Sequence, residues 1–350
     1  MVKEIVAPLL LWYDKNARVL PWREQPDPYR VWLSEIMLQQ TRVEAVKDYY
    51  ERFLQQLPTV QDLAEADEDL LLKLWQGLGY YNRARNLQKA AKVICDTYGG
   101  KFPTSYEQWL ELPGIGAYTA GAVASIALGQ RVPAVDGNVY RIYTRLHADA
   151  TSINTPALQR KVRQEVLDIL PEQAGTFNQA LMDLGAMICV PNGRPHCEEC
   201  PISAFCKARA QGNMQDYPVK PAKKQRKKEQ KTVFVIDVQG KYLIRKRPEK
   251  GLLAGTWEFP SQEGMVSLEE LQELAREWKL EGDIRLLGSA KHIFSHVEWH
   301  MLGYAISLAQ VPDELQDWGI FCDKDQLEHK YSIPSAYAYY MDQVQIAYKK

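Results

Sequence analysis

Apolar residues recur at helical spacing through the first two hundred residues of the chain. The pattern predicts amphipathic helices over residues 31–56, 67–76, 83–97, 117–128, 138–147 and 156–169. Breaks rich in proline and glycine separate them, such as PWREQPDPYR, LGYYN, YGGKFPTS, LPGIG and RVPAVDG. Residues 1 to about 210 are therefore expected to be helical.

The pattern changes after a basic stretch, KPAKKQRKKEQK, at residues 220–231. This stretch has no apolar period and indicates a domain boundary. The following segment, KTVFVIDVQGKYLIRKR, alternates apolar and polar residues, which predicts a β-hairpin that turns at its glycine. A helix at 267–279 and strands around 284–289 and 299–308 complete an α+β module, so the 350 residues form more than one domain.

Composition places the chain among ordinary globular proteins, with 46% hydrophobic and 25% charged residues. No membrane span is expected, because no run of about 18 uncharged apolar residues occurs. Nothing at the N-terminus resembles a signal peptide, which favours a reducing compartment. The net charge of -1 hides an excess of basic residues before residue 232 and of acidic residues after it. The basic stretch is either a solvated linker or a segment close to a polyanion.

A cluster of cysteines lies near the end of the helical region, in MICVPNGRPHCEECPISAFCKA. A C-x2-C pair with one further cysteine on each side is typical of metal ligands, because short loops turn four thiolates inward. Zinc and an iron–sulfur cluster both fit this spacing. Two disulfides are the alternative, and the expected reducing compartment disfavours them. The clustered residues are Cys189, Cys197, Cys200 and Cys206, whereas Cys95 and Cys322 lie far away.

A glycine-rich turn, LPGIG at residues 112–116, lies between two predicted helices. Gly114 and Gly116 allow positive φ and leave the backbone bare, so N–H groups at the start of the second helix can bind a phosphate oxygen. The pentapeptide by itself is equally compatible with a tight turn between helices that binds nothing.

Two carboxylates stand out from the others. Glu35 lies in VWLSEIMLQQTRV with apolar neighbours on its helical face, and desolvation there would raise its pKa and suit a general acid. The alternative is a solvated helix residue. Asp136 precedes a predicted helix, where it can be an N-cap, and the same N–H groups would keep it ionised as a charge stabiliser. One neutral and one charged carboxyl group is the arrangement that cleaves glycosidic bonds.

LPGIG, VDGNVYR and the cysteine cluster together resemble the helix-hairpin-helix DNA glycosylases that carry a 4Fe–4S cluster, and within them the MutY family of adenine DNA glycosylases. Matching segments extend from residue 20 to about 300: LPWREQPDPYRVWLSEIMLQQTRV, GLGYYNRARNL, LPGIGAYTAGA, VDGNVYR, GLLAGTWEFP and FSHVEW. The resemblance implies a base-excision-repair enzyme that hydrolyses the N-glycosidic bond of adenine mispaired with 8-oxoguanine, or with G, in duplex DNA.

The resemblance also implies roles for individual residues. Glu35 would protonate adenine at N7, and Asp136 would stabilise the oxocarbenium sugar before water attacks C1′. Tyr118 and Asn138 would order the sugar and the acid–base network beside them. Arg23 would approach the flipped base.

Contacts with DNA follow from the same resemblance. Gln40 and Tyr80 match residues that fill or wedge the base stack after adenine has left it. Gly114 and Gly116 would bind a phosphate of the backbone. The four clustered cysteines would hold the 4Fe–4S cluster, although seven residues separate Cys189 from Cys197, where the family usually has six.

Strand cleavage is not expected. The alternative interpretation is a bifunctional glycosylase/lyase of the endonuclease III type. Such relatives carry a lysine nucleophile two residues after the second glycine of the hairpin. Here Ala117 and Tyr118 follow Gly116, and a phenol cannot form the Schiff base that β-elimination requires. A monofunctional glycosylase is therefore predicted.

The C-terminal region resembles the Nudix-like domain with which this family recognises 8-oxoguanine, and Phe294, Ser295 and His296 match the loop that reads the lesion. A working Nudix hydrolase is the competing interpretation. In its REUxEE pattern U is an apolar residue. Here Trp278 and Lys279 follow Arg276 and Glu277 and the double glutamate is absent, so the module is expected to bind rather than hydrolyse.

The predicted fold is an all-α helix-hairpin-helix glycosylase core with an iron–sulfur cluster, followed by an α+β Nudix-like domain. The catalytic domain is placed at 1–212, with a six-helix barrel at about 22–131 and the iron–sulfur cluster region at residues 1–21 plus 132–212. A basic linker follows at 213–231 and the Nudix-like domain at 232–350. A monomer that binds double-stranded DNA in a bacterial cytoplasm, associated with the nucleoid, is expected. A catalytically silent cluster protein that binds DNA is the remaining hypothesis.

Overall fold

The computed structural model describes residues 1–221 and 225–346. Backbone contacts divide the chain into two compact units, one of Met1–Glu65 with Asn86–Ala222 and one of Ala66–Arg85 with Lys223–Lys350. Residues 222–224 of the predicted basic linker and residues 347–350 of the predicted second domain lie outside the described residues. The first unit is helical, and the second is built on a β-sheet.

The α-helices of the described residues are α1 (Val6–Asn16), α2 (Pro21–Glu24), α3 (Pro28–Leu38), α4 (Val43–Gln56), α5 (Val60–Glu65), α6 (Glu68–Leu74), α7 (Asn82–Tyr98), α8 (Tyr106–Leu110), α9 (Ala117–Ile126), α10 (Gly137–His147), α11 (Pro156–Ile169), α12 (Ala174–Asp183), α13 (Lys207–Gln211), α14 (Leu268–Glu277), α15 (Lys324–His329) and α16 (Ala338–Gln343).

Most of the helices expected from the apolar pattern are present, and α11 has the predicted bounds. The prediction of one helix over 31–56 was wrong. The chain leaves the helical conformation after α3, and Gln40 has a φ of 60°, in the left-handed region that an α-helix cannot contain. Apolar spacing alone does not reveal such a break, because α3 and α4 both carry a periodic apolar face.

One hydrophobic core of the helical unit joins α1 to α10, α11 and α12, which are far apart in sequence. Fully buried residues such as Leu9, Tyr143, Val162 and Phe177 fill it. Three of the clustered cysteines pack against this core from its edge: Cys189, Cys200 and Cys206. The N-terminal helix and the cysteine segment therefore pack against the same hydrophobic core.

The strands of the second unit are β1 (Lys227–Val238), β2 (Lys241–Lys246), β3 (Trp257–Glu258), β4 (Ser261–Glu263), β5 (Gly282–Ile293), β6 (Val297–Leu308) and β7 (Ile320–Cys322). In the described portion of the chain they form one mixed sheet in the order β3-β2-β1-β6-β5, with β4 beside β1 and β7 beside β2. The β1–β6 pair is parallel, and the other pairs are antiparallel.

The predicted hairpin is β1–β2. Gln239 and Gly240 turn it with φ values of 51° and 81°, as a tight two-residue hairpin requires. β1 begins at Lys227, however, so residues 227–231 of the predicted linker are a strand in register with residues 297–301 of β6. The apolar period does not detect them, because their pairing uses backbone groups. Among the described residues no helix is long and apolar enough to cross a membrane.

Ala66–Arg85 groups with the sheet and not with the helices around it in sequence, unlike in the predicted division of the chain. Lys246 of β2 pairs with Glu68 at 3.1 Å, and the indole N–H of Trp257 donates to Asp69 at 2.9 Å. Arg85 donates to the carbonyl oxygen of Glu249 at 2.9 Å. These contacts join residues that are nearly two hundred positions apart, so the sequence pattern cannot reveal them.

Candidate active site and cysteine cluster

A cavity of about 740 Å³ lies in the helical unit, where α3, the 112–116 turn and the starts of α9 and α10 meet α12. Its lining includes Arg18, Arg23, Glu35, Gln40, Gly116, Tyr118, Asp136, Asn138, Gln179 and Met182. The structure therefore brings all the predicted catalytic residues into one cavity, together with three of the residues predicted to contact DNA.

Glu35 is buried in α3, with 6% of its surface exposed. The hydroxyl of Tyr118, in α9, donates to Oε2 of Glu35 at 2.5 Å. Burial raises the pKa of Glu35 to about 7; the Tyr118 hydrogen bond and the charge of Arg23 oppose this shift, whereas the charge of Asp136 adds to it. Glu35 can therefore hold a proton at neutral pH and release it to a bound base.

Asp136 is the N-cap of α10. Its Oδ1 accepts from the backbone N–H of Val139 at 2.9 Å, and its Oδ2 accepts from the side chain of Asn138 at 2.7 Å. Burial raises the pKa of Asp136, and these hydrogen bonds oppose the rise. The predicted N-cap is confirmed, and it holds a carboxylate at the cavity with both oxygens oriented.

Asn138 is held in turn by Arg141, one helical turn further along α10. Arg141 donates to Oδ1 of Asn138 at 2.8 Å, to the carbonyl oxygen of Gly185 at 2.7 Å and to that of Cys189 at 2.7 Å. A Cβ on Gly185 would lie 2.6 Å from the Cβ of Asn138, so only glycine leaves room there. The orientation of Asp136 thus depends on a chain of contacts that reaches the cysteine cluster.

Arg23 lines the cavity, but its guanidinium is already bound. Its two terminal nitrogens both donate to Asp183, each at 2.8 Å. Asp183 is fully buried and also accepts from Nε of Arg18 at 2.7 Å. The sequence interpretation, in which Arg23 approaches a flipped base, left out this partner, since 160 positions separate the two residues.

Two further cavity residues were missed by sequence reasoning. Arg18 lines the cavity with its side chain partly buried, and Gln179 lines it from α12. Gln179 lies one helical turn before Asp183, on the same face of α12. That spacing was the only signal in the sequence, and it carries no information until Asp183 is known to be buried.

The 112–116 turn connects α8 to α9. Gly114 has a φ of 75°, and a Cβ there would lie 2.6 Å from the Cβ of Asn86. Ile115 is buried and anchors the turn. Gly116 is the N-cap of α9, and nothing lies within 4 Å of the position of its absent Cβ. The start of α9 is therefore open to an approaching anion.

Gln40 and Tyr80 share an unusual backbone conformation. Both are non-glycine residues with positive φ, 60° for Gln40 and 48° for Tyr80, and both are exposed. Strained positions of this kind concentrate at ligand contacts, because surrounding structure must hold them. Gln40 lines the cavity of the helical unit, whereas Tyr80 belongs to the second unit.

The four clustered cysteines line one small cavity together with Arg145, Ile188 and Met214. All are free thiols, so the two-disulfide alternative is not what the structure contains. Within the described residues, no three His, Cys, Asp or Glu side chains converge closely enough to hold one metal ion.

The loop between the first two cysteines accommodates its extra residue. The backbone N–H of His196 donates to the carbonyl oxygen of Ile188 at 2.9 Å, so the loop leaves and returns at nearly the same place. Gly193 turns it with a φ of 75°. Behind it, the guanidinium of Arg145 donates to Sγ of Cys189 at 3.1 Å. The loop thus closes on itself between Cys189 and Cys197.

Phe294, Ser295 and His296 form the turn between β5 and β6. The side chains of Ser295 and His296 are exposed, and that of Phe294 is half-buried. Within the same unit, the hydroxyls of Tyr80 and Ser295 share a hydrogen bond of 2.5 Å. The structure therefore brings together the predicted wedge and the predicted lesion-reading turn.

Helix α14 carries the start of the segment that the REUxEE pattern covers. It ends at Glu277, and the next residue, Trp278, packs edge-on against Phe234 and Trp318 at ring distances of 5.7 and 5.0 Å. Lys279 follows and pairs with Glu314. Trp278 and Lys279 stand at the apolar and the variable position of the REUxEE pattern. Leu280, which is buried, stands at the first of its two final glutamates, so the set of carboxylates that would bind Mg²⁺ is incomplete.

The helical region and the C-terminal region each match a family of known proteins. Residues 33–171 match the model of the HhH-GPD superfamily base excision DNA repair proteins, and residues 232–343 match the NUDIX domain. Among solved structures, a thermostable thymine-DNA glycosylase is 30% identical with a TM-score of 0.55, covering 60% of this chain and 96% of that one. A trapped endonuclease III–DNA complex, at 22% identity and a TM-score of 0.52, shows the same helical fold.

These matches define a DNA glycosylase of the HhH-GPD superfamily with an added Nudix-like domain, and they confirm the predicted fold. The chain belongs to the adenine DNA glycosylase family, enzymes of base-excision repair. The human member is 35% identical over 86% of this chain and 66% of its own length. The member from Buchnera aphidicola subsp. Schizaphis graminum is 35% identical over 86% of this chain and 87% of its own length. The chain spans about two thirds of the human relative.

Proposed function

We propose that the protein removes adenine mispaired with 8-oxoguanine, or with G, from duplex DNA by hydrolysing its N-glycosidic bond. The observation that carries this proposal is the cavity in which Glu35, hydrogen-bonded by Tyr118, shares a surface with Asp136. One carboxyl group has a pKa near neutral and the other is held by helix N–H groups. Paired carboxyl groups of this kind suit departure of a protonated base from a sugar that becomes cationic.

In the proposed reaction, Glu35 gives its proton to N7 of the flipped adenine. Tyr118 donates to Oε2 of Glu35, which favours placing the proton on Oε1. As the bond to the base breaks, Asp136 stabilises the positive charge at C1′, and water then completes the hydrolysis. Asn138 holds Asp136 in position through the 2.7 Å hydrogen bond.

The proposed enzyme is monofunctional, because the cavity provides no amine for a Schiff base. Among the described residues that line it, the cations are Arg18 and Arg23, and no lysine is present. Tyr118 occupies the position at which lyases of this fold carry their nucleophile, and its burial raises its pKa well above 10. Neither arginine nor a protonated phenol forms the covalent imine that β-elimination requires.

We propose that the DNA backbone binds at the 112–116 turn, where Gly114 turns the chain with positive φ and Gly116 leaves the start of α9 open. Gln40 and Tyr80, exposed and held at positive φ, would enter the base stack when adenine leaves it. The turn at Phe294, Ser295 and His296 would read 8-oxoguanine. That the protein acts as a monomer in a bacterial nucleoid stays a prediction.

The cysteine cavity is proposed to hold a 4Fe–4S cluster. Four thiols line it, and Arg145 provides a cationic donor at Cys189. Burial raises the pKa of Cys200 to about 12, so its thiolate forms only with a compensating positive charge. A bound cluster would supply that charge and tie together the segment from residue 189 to residue 206.

Purification without oxygen is expected to yield brown protein with about four iron atoms and about four inorganic sulfides per chain. Replacement of Cys200 by serine should lower the iron content and the melting temperature. The matched control is Cys95→Ser, which removes a thiol outside the cavity and should leave both quantities unchanged. Colourless protein that contains one zinc ion would overturn the proposal.

The function itself is tested by single-turnover cleavage of a labelled duplex with adenine opposite 8-oxoguanine, developed with and without hot alkali. We expect strand breaks only after alkali, and much faster than in a duplex with adenine opposite thymine. Breaks without alkali would indicate lyase chemistry and refute the monofunctional assignment. No product from protein with an intact cluster would favour a DNA-binding protein without catalysis.

A further inference from the structure

The turn at Phe294, Ser295 and His296 is held by residues around the start of β1 as well as by its own strands, β5 and β6. The backbone N–H of Phe294 donates to the carbonyl oxygen of Val297 at 2.8 Å and closes the turn. The two outward carbonyl oxygens, of Phe294 and His296, then need other donors. Both donors come from the second half of the basic stretch, residues 226–231.

Arg226 and Lys227 supply these donors. Nε of Arg226 donates to the carbonyl oxygen of Phe294 at 3.0 Å. The backbone N–H of Lys227 donates to the carbonyl oxygen of His296 at 3.0 Å. The two bonds hold the turn at both ends and leave the Ser295 side chain exposed at its tip.

The aromatic support of the turn also involves the basic stretch. Phe294 packs edge-on against Trp299 with 4.8 Å between ring centroids. The ammonium of Lys231 lies 4.7 Å from the Trp299 ring, and Glu229 accepts the indole N–H at 3.0 Å. The base of the turn is thereby built on a tryptophan that residues of β1 hold in place.

We propose that Arg226 is a positioning residue for the recognition of 8-oxoguanine. Residues 226–231 of the basic stretch would then hold the 294–296 turn in position instead of neutralising DNA phosphates. The proposal rests on the proposed function of the turn. A loop held in its binding conformation before contact loses less conformational entropy when it binds. The Nε–H bond of Arg226 would therefore favour the lesion over guanine without touching either.

The test compares Arg226→Met and Arg226→Lys in single-turnover cleavage of adenine opposite 8-oxoguanine and opposite G. Methionine removes the charge and the donor, whereas lysine keeps the charge but lacks the Nε–H of the guanidinium. We expect both variants to lose about 2- to 10-fold of the preference for 8-oxoguanine, as for one lost hydrogen bond. The salt dependence of DNA affinity should stay unchanged.

Lys228→Met is the matched control, because Lys228 is exposed at the start of β1, two residues after Arg226, and its replacement removes an equal charge. It should leave the preference for 8-oxoguanine unchanged. A phosphate contact by Arg226 would instead give wild-type behaviour in Arg226→Lys, and in Arg226→Met an equal loss on all duplexes with a salt slope smaller by about 0.9. That result would overturn the inference.

The function of the turn and the role of Arg226 can fail separately. If the unaltered protein cleaves adenine but shows no preference for 8-oxoguanine over G, the proposed function of the turn is wrong and the inference falls with it. If the unaltered protein has the preference and both Arg226 variants keep it, only the positioning role is wrong. Unchanged melting temperatures in both variants would show that a lost preference does not result from unfolding.

Discussion

Replacement of Glu35 by glutamine is expected to lower the single-turnover rate of adenine release by about 10²- to 10⁴-fold, the usual contribution of a general acid. Glutamine keeps the size of the side chain and can still accept from Tyr118, but it has no proton of suitable acidity to give. Affinity for a duplex that contains the mispair should change little. Rapid-quench cleavage and a binding titration measure the two effects.

The pH dependence of the same rate provides an independent check. Glu35 acts while protonated, so its contribution is present below its pKa of about 7 and is lost as the pH rises through that value. The rate should then fall by about tenfold per pH unit on the alkaline side. A profile that stays flat between about pH 6 and 9 would remove Glu35 as the general acid.

Two variants make this assignment sharper. Tyr118→Phe removes a hydrogen bond that lowers the pKa of Glu35, so the alkaline limb should move to higher pH. Glu44→Gln removes an exposed glutamate, paired only with Lys47 among its described contacts, and should leave the profile unchanged. An unshifted limb in Tyr118→Phe would mean that the limb reports another group.

Replacement of Asp183 by asparagine is expected to lower the free energy of unfolding at pH 7 by about 3–5 kcal/mol, as when one member of a buried ion pair is removed. Asp183 is fully buried, and Arg18 and Arg23 both donate to it. Asparagine would leave two guanidinium groups at the cavity without their anion. Urea denaturation of the purified protein measures the loss.

The effect of acid distinguishes the mechanism. Burial raises the pKa of Asp183, but the hydrogen bonds and charge of Arg23 and the hydrogen bonds of Arg18 outweigh it and hold that pKa below its ordinary value. The stability from this pair is therefore present above about pH 4, the value for an unfolded chain, and is lost as the pH falls through the lower folded pKa. Asp183→Asn should lack this component of the acid sensitivity.

Glu198→Gln is the control, because its ion pair with Arg209 is exposed and contributes little. Equal melting temperatures for Asp183→Asn and the unaltered protein would contradict the expectation. Cleavage by Asp183→Asn should also slow, since Arg18 and Arg23 line the cavity that Asp183 organises.

Local rules predicted the elements and the chemical groups well. Helical period located most helices, glycine located the β1–β2 turn, and an aspartate before α10 indicated an N-cap. Apolar flanks around Glu35 indicated burial, and the structure places the residue in a buried position. Each of these features depends on a few neighbouring residues, which is why a sequence reveals them.

Errors arose where the energetics depend on distant residues. The break at Gln40 depends on a left-handed backbone that no apolar period records. β1 begins at Lys227, inside the predicted basic linker, because the backbone of β6 pairs with it. The approach of Arg23 to the flipped base stays a prediction, but the sequence did not reveal that its guanidinium binds Asp183 far along the chain.

The sequence by itself indicated the two-domain organisation, the cysteine cluster, the hairpin glycines and the two carboxyl groups. Each of these features can be recognised from residue types and from short spacings along the chain. The tertiary structure decided which groups share one cavity, that Asp183 binds both arginines, and that Arg226 reaches the carbonyl oxygen of Phe294. Those pairings span from tens to well over a hundred residues. Charge and hydrogen bonding act over a few ångströms, and only the folded chain brings such residues that close.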